Sequence, residues 1–285
     1  MDEGALAPTL LLIALSLVAL AWPLAGPLHR RWRRSRLARQ PFPPAWRAIL
    51  RRRVPLVQRL PADQRLRLLK LVQRFIAEVP FIGCAGQAID DEVRVTIAAQ
   101  ACLLLLGRGG GFEGLREVLV YPGAFAVDRV HAGAAGVQHE RREVLAGEAH
   151  GRGAVVLSWQ DALEGAADPD DGRNVVIHEF AHRLDQDHGA ANGAPWLGPK
   201  QGYEEWSRVL GAEFAALRAR VDAHTAGAGD PGPGLISPYG ASDPAEFFAV
   251  VCELYFERPA DLKREHPALY EQLRRLYRTD PAAWS

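Results

Sequence analysis

Sulfur-containing residues are scarce in this chain of 285 residues. The only methionine is Met1, and the three cysteines, Cys84, Cys102 and Cys252, lie far apart. An odd number of widely separated cysteines argues against a disulfide framework, and their spacing fits no cysteine-based metal site. We therefore expect free thiols, which are typical of a domain in the reducing cytoplasm.

Acidic residues outnumber basic residues beyond residue 60. The whole chain has 34 basic and 34 acidic residues, but the first 60 residues contain a strong excess of arginine. The remainder is therefore net acidic, and such a surface repels the phosphate backbone of nucleic acids. We expect no direct binding to nucleic acid.

A short motif gives the strongest indication of function. Residues 178–182 read HEFAH, in which His178 and His182 are one helical turn apart. On an α-helix, positions i and i+4 lie on the same face, so both imidazoles can bind one zinc ion. Glu179 follows the first histidine, where its carboxylate can accept a proton from the attacking water. The motif predicts a catalytic zinc site.

The residues around the motif support a helix. Apolar residues recur at helical spacing along one face, at Val176, Ile177, Phe180, Ala181 and Leu184. This stripe leaves both histidines of the motif on another face, toward a cleft. Asp171 is a candidate for the N-cap of the helix, and Gly189 is a candidate for its C-terminal end.

Zinc requires a third protein ligand, and three candidate regions compete for this role. His188 has the spacing of a metzincin site, although Asp185 replaces the glycine of that pattern and the chain lacks a methionine for the methionine turn. Glu204 and Glu205 lie at the separation of a thermolysin-like ligand, but both also fit solvated charges on a helix.

Glu246 is the third candidate. Asp243 and Pro244 precede it in the manner of an N-cap and a first-turn proline, so Glu246 also fits an ordinary capping acid. The apolar residues that follow predict a buried helix, whose first turn would hold a ligand rigidly. Glu253 lies two turns further on a similar face, as a fallback ligand or a partner of a ligating histidine.

Two segments of the chain, residues 174–185 and 239–246, resemble the Mlc titration factor A (MtfA) family of zinc peptidases. The first contains the HEFAH motif, and the second ends at the third candidate ligand. Further similarity in the same order occurs at residues 97–106, 120–122 and 155–159. Several separate segments in order make the resemblance specific, and it covers most of the chain beyond residue 60.

The resemblance implies a zincin-like fold with a single Zn²⁺ ion. It implies His178, His182 and Glu246 as the zinc ligands, and Glu179 as the general base. It also points to Tyr239 as a hydroxyl donor to the developing oxyanion. The implied activity is the hydrolysis of peptide bonds, with an aminopeptidase-like preference for short peptides.

The same resemblance implies a second class of function. It implies binding to Mlc, a transcriptional repressor of sugar uptake, so that the alternative to a peptidase is a regulator that sequesters such a repressor. An intact Glu179 favours the enzyme, because a pure binding protein needs no general base. The two roles can coexist.

The patterning of the remaining chain predicts an α+β domain with a small sheet. Residues 61–78 have the pattern of an amphipathic helix, and residues 91–106 that of a buried helix. Residues 117–121 and 124–127 are rich in strand formers. Residues 153–159 are a candidate for an edge strand beside the zinc helix, to which an extended peptide substrate can add, or for a core strand of the same sheet.

The N-terminal segment predicts a membrane anchor. Residues 5–28 carry no charge and are long enough to span a bilayer as one transmembrane helix. Acidic residues precede the segment and arginines follow it, which places the C-terminal side in the cytoplasm. We therefore predict a single-pass protein of the bacterial inner membrane. Residues 1–28 form the anchor, residues 29–60 a basic juxtamembrane linker and residues 61–285 a cytoplasmic zinc metallopeptidase domain.

Overall fold

The computed structural model describes residues 40–123, 125–132, 138–145, 147–150, 153–198, 202–225 and 234–284, without the side chains of residues 125–150 and 188. The predicted transmembrane helix at residues 5–28 lies outside these ranges. Among the described helices, none combines the length and the hydropathy needed to cross a bilayer. The anchor therefore stays a prediction.

Helices dominate the described chain. In chain order they are α1 (Pro44–Arg53), α2 (Leu56–Arg59), α3 (Ala62–Glu78), α4 (Asp91–Leu103), α5 (Trp159–Ala167), α6 (Val175–Asp185), α7 (Tyr203–Thr225), α8 (Pro244–Glu257), α9 (Pro259–Glu265) and α10 (Pro267–Tyr277). A 3₁₀ turn at Gln186–His188 follows α6, and another at Pro238–Ala241 precedes α8. The two helices predicted before residue 110 are confirmed as α3 and α4.

The strands form two small sheets. They are β1 (Phe81–Gly83), β2 (Glu117–Tyr121), β3 (Phe125–Ala132), β4 (Gln138–Leu145), β5 (Gly147–His150) and β6 (Ala154–Ser158). Strands β1, β2 and β6 are parallel, and β5 is antiparallel to β6, which gives the order β1-β2-β6-β5. Strands β3 and β4 form a separate antiparallel ribbon. A mainly helical domain with a small sheet confirms the predicted α+β class.

The strand at residues 153–159 is not the edge strand that the sequence analysis predicted. Strand β6 pairs with β2 on one side and with β5 on the other, and all its residues are buried. Its run of consecutive apolar residues fits this environment, because a strand covered on both faces has no need for polar alternation. Among the described strands, β5 holds the edge position on this side of the sheet.

Residues 44–59, which the sequence analysis assigned to the juxtamembrane linker, form helices α1 and α2. Helix α1 contacts α4, and the compact unit that contains the predicted peptidase domain begins at Pro43. Ile49 and Leu50 of α1 are buried. Arg51 and Arg52 of α1 are exposed, and such a run of charge gave the appearance of a linker.

Helix α6 lies at the centre of this unit. It contacts α4, α5, β5, β6 and α8. The predicted apolar stripe of α6 is buried. The ring centroid of Phe180 lies 5.7 Å from that of Phe75 and 4.7 Å from that of Phe112. Because the sheet and α4 cover this stripe, the two histidines of α6 face α8.

Side-chain caps fix the start of both helices that carry the candidate ligands. The Asn174 side chain caps α6 by accepting the backbone N–H of Ile177 at 3.0 Å. The predicted cap, Asp171, instead accepts the backbone N–H of Arg173 in a turn before the helix. Asp243 caps α8, as predicted, with a proline in the first turn. The two ends are therefore well-defined points from which ligands can project.

The three cysteines are free, as predicted. Cys102 and Cys252 are buried, and burial raises the pKa of both thiols well above its usual range. Both therefore remain protonated at neutral pH and act as small apolar residues of the core.

Candidate metal centre

Three side chains from two helices converge on one point. His178 and His182 project from α6, and Glu246 projects from the first turn of α8, and their ligand atoms all lie within 4.8 Å of one another. The two Nε2 atoms are 3.2 Å apart, and Glu246 Oε2 lies 3.1 Å from His178 Nε2 and 3.4 Å from His182 Nε2. The structure thus brings together the three residues predicted as ligands, and they could hold a metal ion.

These distances fit a tetrahedral metal ion. Ligands that lie about 2.0–2.1 Å from zinc at tetrahedral angles are about 3.3–3.4 Å from one another. The three distances in this cluster fall close to that value. Two imidazoles and one carboxylate leave the fourth position of a tetrahedron open, as in catalytic zinc sites.

The hydrogen bond on the other side of His178 decides which of its nitrogens faces the cluster. His178 Nδ1 lies 2.8 Å from Glu253 Oε1, so Nδ1 carries the proton and donates it to the carboxylate. In the neutral ring, Nε2 then presents a lone pair to the cluster. With Nδ1 turned to Glu253, three atoms that can ligate a cation converge on one point.

The electrostatics of the cluster also favour a cation. Burial opposes the charged form of His178, yet hydrogen bonds from its ring to Glu246 and Glu253 raise its pKa to about 10. Burial likewise opposes the ionised form of Glu246, but the two histidines hold its pKa far below the usual range. The cluster therefore attracts positive charge, and a proton and a metal ion would compete for it.

A chain of buried polar groups extends from His178 into the core. Glu253 accepts the backbone N–H of Asn174 at 2.6 Å, in addition to its contact with the imidazole. The Asn174 side chain donates to Glu257 at 2.8 Å and to the Gly165 carbonyl at 3.1 Å. Burial raises the pKa of Glu257 to about 9, so that this carboxyl is protonated at neutral pH. The chain fixes the orientation of the first histidine.

Asn174 was not among the residues predicted for the site. Glu253 was predicted as a fallback ligand or a partner of a ligating histidine, and the geometry agrees with the second role, because Glu253 contacts Nδ1 on the side of the ring away from Glu246. An asparagine three residues before an apolar helix position was an available signal for an N-cap. Its contacts with Glu253 and Glu257 on α8 are long-range and had no local signal.

Glu246 occupies the position of a capping-box acid, but its side chain does not make the contact of a capping box. Its backbone N–H donates to Asp243 at 3.0 Å, as expected for the third residue of a capped helix. In a capping box, the carboxylate would bend back to the N–H of the cap residue. In this structure the carboxylate instead reaches the two histidines.

The remaining predicted site residues line the same cavity as the cluster. This open cavity of about 460 Å³ contains Glu179 and Tyr239 beside the ligands. Glu179 is buried, with 6% of its surface exposed, and Tyr239 is 54% exposed with its ring centroid 6.0 Å from that of His178. The structure therefore places a carboxylate and a phenol within the cavity that holds the candidate ligands.

The alternative third ligands lie elsewhere. Glu204 and Glu205 lie at the start of α7 and do not line the cavity, and Glu205 pairs with Arg275 at 2.9 Å. His188 lies in the 3₁₀ turn after α6, and its side chain is outside the described part of the structure. Within the described residues, His178, His182 and Glu246 form the candidate ligand cluster.

Asp185 has a role that differs from a metzincin turn. Its carboxylate accepts the backbone N–H groups of Asn192, Gly193 and Ala194 at 2.7, 2.7 and 3.0 Å. The Trp206 indole donates to the Gly193 carbonyl at 2.9 Å. Gly193 has a φ of +75°, and a Cβ atom there would lie 2.4 Å from the Pro244 carbonyl oxygen. The loop after α6 is thus held firmly against the start of α8.

Comparisons with known proteins agree with this geometry. The sequence model of the glucose-regulated metallo-peptidase M90 family matches residues 29–278. The uncharacterized protein slr2042 of Synechocystis sp. is 38% identical over 276 residues, which are 96% of this chain and 98% of that protein. Mlc titration factor A of Salmonella agona is 32% identical and that of Salmonella gallinarum 33% identical, each over 231 residues. Each of these two matches covers 80% of this chain and 84% of the relative.

Proposed function

The chain belongs to the family of glucose-regulated metallo-peptidases, M90, to which the Mlc titration factor A proteins are related, and from this membership we propose that it is a zinc-dependent, zincin-like peptidase. His178, His182 and Glu246 would hold the zinc ion. One observation carries the proposal: Nε2 of each histidine and a carboxylate oxygen of Glu246 converge at the spacing of tetrahedral ligands.

The residues around the cluster have complementary roles in this proposal. When bound, zinc supplies Lewis acidity that acidifies water and polarises a carbonyl group. Glu179 accepts the proton of the attacking water and later delivers it to the leaving amine. The Tyr239 hydroxyl donates a hydrogen bond to the oxyanion as charge develops there. Glu253 keeps the imidazole of His178 in the orientation and tautomer that ligation requires.

We propose that the substrate is a short peptide and that cleavage is aminopeptidase-like. Strand β5 lies at the edge of the described sheet and contacts α6, so an extended peptide can add to the sheet there. The size of the cavity supports a short substrate, because about 460 Å³ accommodates only a few residues of a peptide.

The test of the proposed activity compares one substitution with a matched control. The full-length protein, purified in detergent and loaded with zinc, would be assayed on peptides and aminoacyl-amides with and without a chelator. Glu179→Gln should retain one bound zinc ion and lose hydrolysis. Glu204→Gln, which changes an exposed glutamate away from the cavity, should retain both. Hydrolysis that persists at full rate in Glu179→Gln would refute the role of the base.

We also propose that residues 1–28 anchor the protein in the bacterial inner membrane, with the peptidase domain in the cytoplasm. The arginine-rich flank that follows the apolar segment supports this orientation. The match to the Synechocystis protein covers so much of the chain that it includes part of this segment. A reporter that works only in the cytoplasm should be active when it is fused after Ser285. Activity of a reporter that works only in the periplasm would overturn the orientation.

Binding to a transcriptional repressor is the second candidate function. The name of the Salmonella relatives, Mlc titration factor A, supports it. A pull-down with the full-length protein as bait and a purified Mlc-type repressor as prey would test this role. Retention of the repressor by both wild-type protein and Glu179→Gln would establish binding independent of hydrolysis, whereas no retention would remove this candidate.

A further inference from the structure

A second cavity adjoins the metal cavity. It has a volume of about 650 Å³ and lies at the C-terminal end of α6. Gln186 and Ala191 line both cavities, so the two are neighbouring parts of one depression. A peptide that crosses the metal cavity in one direction would enter this second cavity.

The two cavities differ in charge. Three carboxylates, those of Glu179, Asp243 and Glu246, line the metal cavity. The described lining of the second cavity contains no carboxylate and contains two guanidinium groups, from Arg116 and Arg183. A cavity lined by one sign of charge favours a ligand group of the opposite sign.

The two arginines are not equally available. Arg183 is buried, and its guanidinium contacts the side chains of Asp187 and Gln186 and the carbonyl of Glu113. Arg116 is exposed, and its side chain has no hydrogen bond or ion pair with any described residue. Arg116 is therefore the cation that can bind an incoming anion.

The backbone positions Arg116 at this cavity. Its N–H donates to the Gly153 carbonyl at 2.7 Å, immediately before β2 and β6 begin side by side. Gly153 has a φ of +85°, and a Cβ atom there would lie 2.3 Å from the Gly114 carbonyl oxygen and 3.2 Å from Arg116 Cγ. The absence of a side chain at Gly153 leaves space for the arginine and keeps the cavity open beside it.

From this arrangement we propose that the second cavity is a specificity subsite for a carboxylate of the peptide substrate, which Arg116 binds. The carboxylate is either an acidic side chain or the C-terminal group, because both match the planar fork of a guanidinium. The inference rests on the proposed peptidase function. It predicts a preference for acidic peptides among otherwise equal substrates.

The test uses binding as well as turnover, so that it is separable from a test of the activity. The probes are alanine-rich peptides in which one Glu is moved along the chain, each paired with a peptide that carries Gln at the same place. A second series has an amidated C-terminus. Dissociation constants would be measured by calorimetry on full-length, zinc-loaded Glu179→Gln, and kcat/KM would be measured on the wild-type protein.

Three further variants locate the effect. In the same background, Arg116→Gln should abolish the preference for Glu over Gln, and Arg116→Glu should replace it by a preference for Lys. Arg51→Gln, an exposed arginine on α1 with no described partner, is the matched control and should change nothing. The expected preference in the parent protein is about tenfold in the dissociation constant, as for one charge-assisted hydrogen-bonded pair.

The outcomes separate this proposal from the proposed activity. Tighter binding of Glu peptides that depends on Arg116 supports the subsite, even if wild-type protein cleaves none of the peptides. Weaker binding only on amidation assigns the site to the C-terminal carboxylate, and weaker binding only on Glu-to-Gln exchange assigns it to a side chain. Equal binding of Glu and Gln peptides, with amidation also without effect, overturns the subsite while hydrolysis still supports a peptidase. A preference that persists in Arg116→Gln also overturns it.

Discussion

Glu253 Oε1 lies 2.8 Å from His178 Nδ1, on the side of the ring opposite to Glu246. The carboxylate therefore acts on the metal centre through the imidazole. It keeps the proton on Nδ1 and leaves the Nε2 lone pair for ligation. Because Glu253 also accepts the backbone N–H at the start of α6, it connects the two helices that supply the ligands.

Glu253→Gln should weaken zinc binding by about 10–100-fold, because the amide cannot hold the imidazole by charge. Competition with a calibrated chelator would measure the affinity. Glu265→Gln, at an exposed position on α9, is the control and should leave the affinity unchanged. An unchanged affinity in Glu253→Gln would show that the hydrogen bond is structural only.

Tyr239→Phe should lower kcat about tenfold or more while zinc binding and KM change little. The phenol lines the metal cavity, and its proposed hydrogen bond forms only as the oxyanion develops. Steady-state kinetics on a peptide substrate would separate the two constants. Tyr203→Phe, which removes the hydroxyl of another exposed tyrosine, is the matched control. A rise in KM without a fall in kcat would assign Tyr239 to substrate binding.

Glu257 should make the protein less stable as pH rises. Its pKa is raised from 4.5 to about 9 in the fold. Between these values the folded carboxyl retains its proton and the unfolded one releases it, so stability is full below the lower pKa and is lost toward the higher one. The free energy of unfolding should fall by up to about 1.4 kcal/mol per pH unit within this window.

Denaturant unfolding of metal-free Glu257→Gln beside wild type would measure this effect, since the difference between the two proteins isolates Glu257 from the histidine cluster. Glutamine retains an oxygen that can accept the hydrogen bond from Asn174. We expect the variant to lose much of the pH dependence. Parallel stability curves for the two proteins would contradict a raised pKa.

Asp185→Ala should release the loop after α6. Three backbone N–H groups lose their acceptor, and the expected loss of stability is about 1–3 kcal/mol. Hydrogen exchange should accelerate at Asn192, Gly193 and Ala194 and stay slow in strand β6. Asp222→Ala, at an exposed position on α7, is the control. Unchanged exchange in the loop would mean that its other contacts are sufficient.

The helices could be predicted from the sequence because their signals are local. The apolar stripe of α6 and the Asp243 and Pro244 start of α8 lie within a few residues of the elements they define. The direction of the Glu246 side chain was not determined by such signals. A capping acid and a metal ligand occupy the same position in the first turn, and only the approach of α6 distinguishes them.

Long-range backbone contacts account for what the sequence could not show. The assignment of residues 153–159 to an edge was wrong because β5 pairs beyond it, although the uninterrupted apolar run at Ala154–Leu157 already indicated burial on both faces. Asp185 had a spacing that suggested a turn toward His188. Its actual partners are backbone N–H groups of the following loop, which carry no sequence signature.

The geometry of the metal centre also depends on Gly193, which is not one of the candidate ligands. Its backbone lies against the Pro244 carbonyl so closely that a single methyl group at this position must displace one of the two segments. Glu246 is in the same first turn of α8, so the displaced segment carries a ligand with it. A substitution at Gly193 should therefore disturb the metal centre, although this residue has no chemical role there. A variant library restricted to the two histidines and the glutamate would not include Gly193, whose packing helps to set the distance between the ligands on α6 and α8.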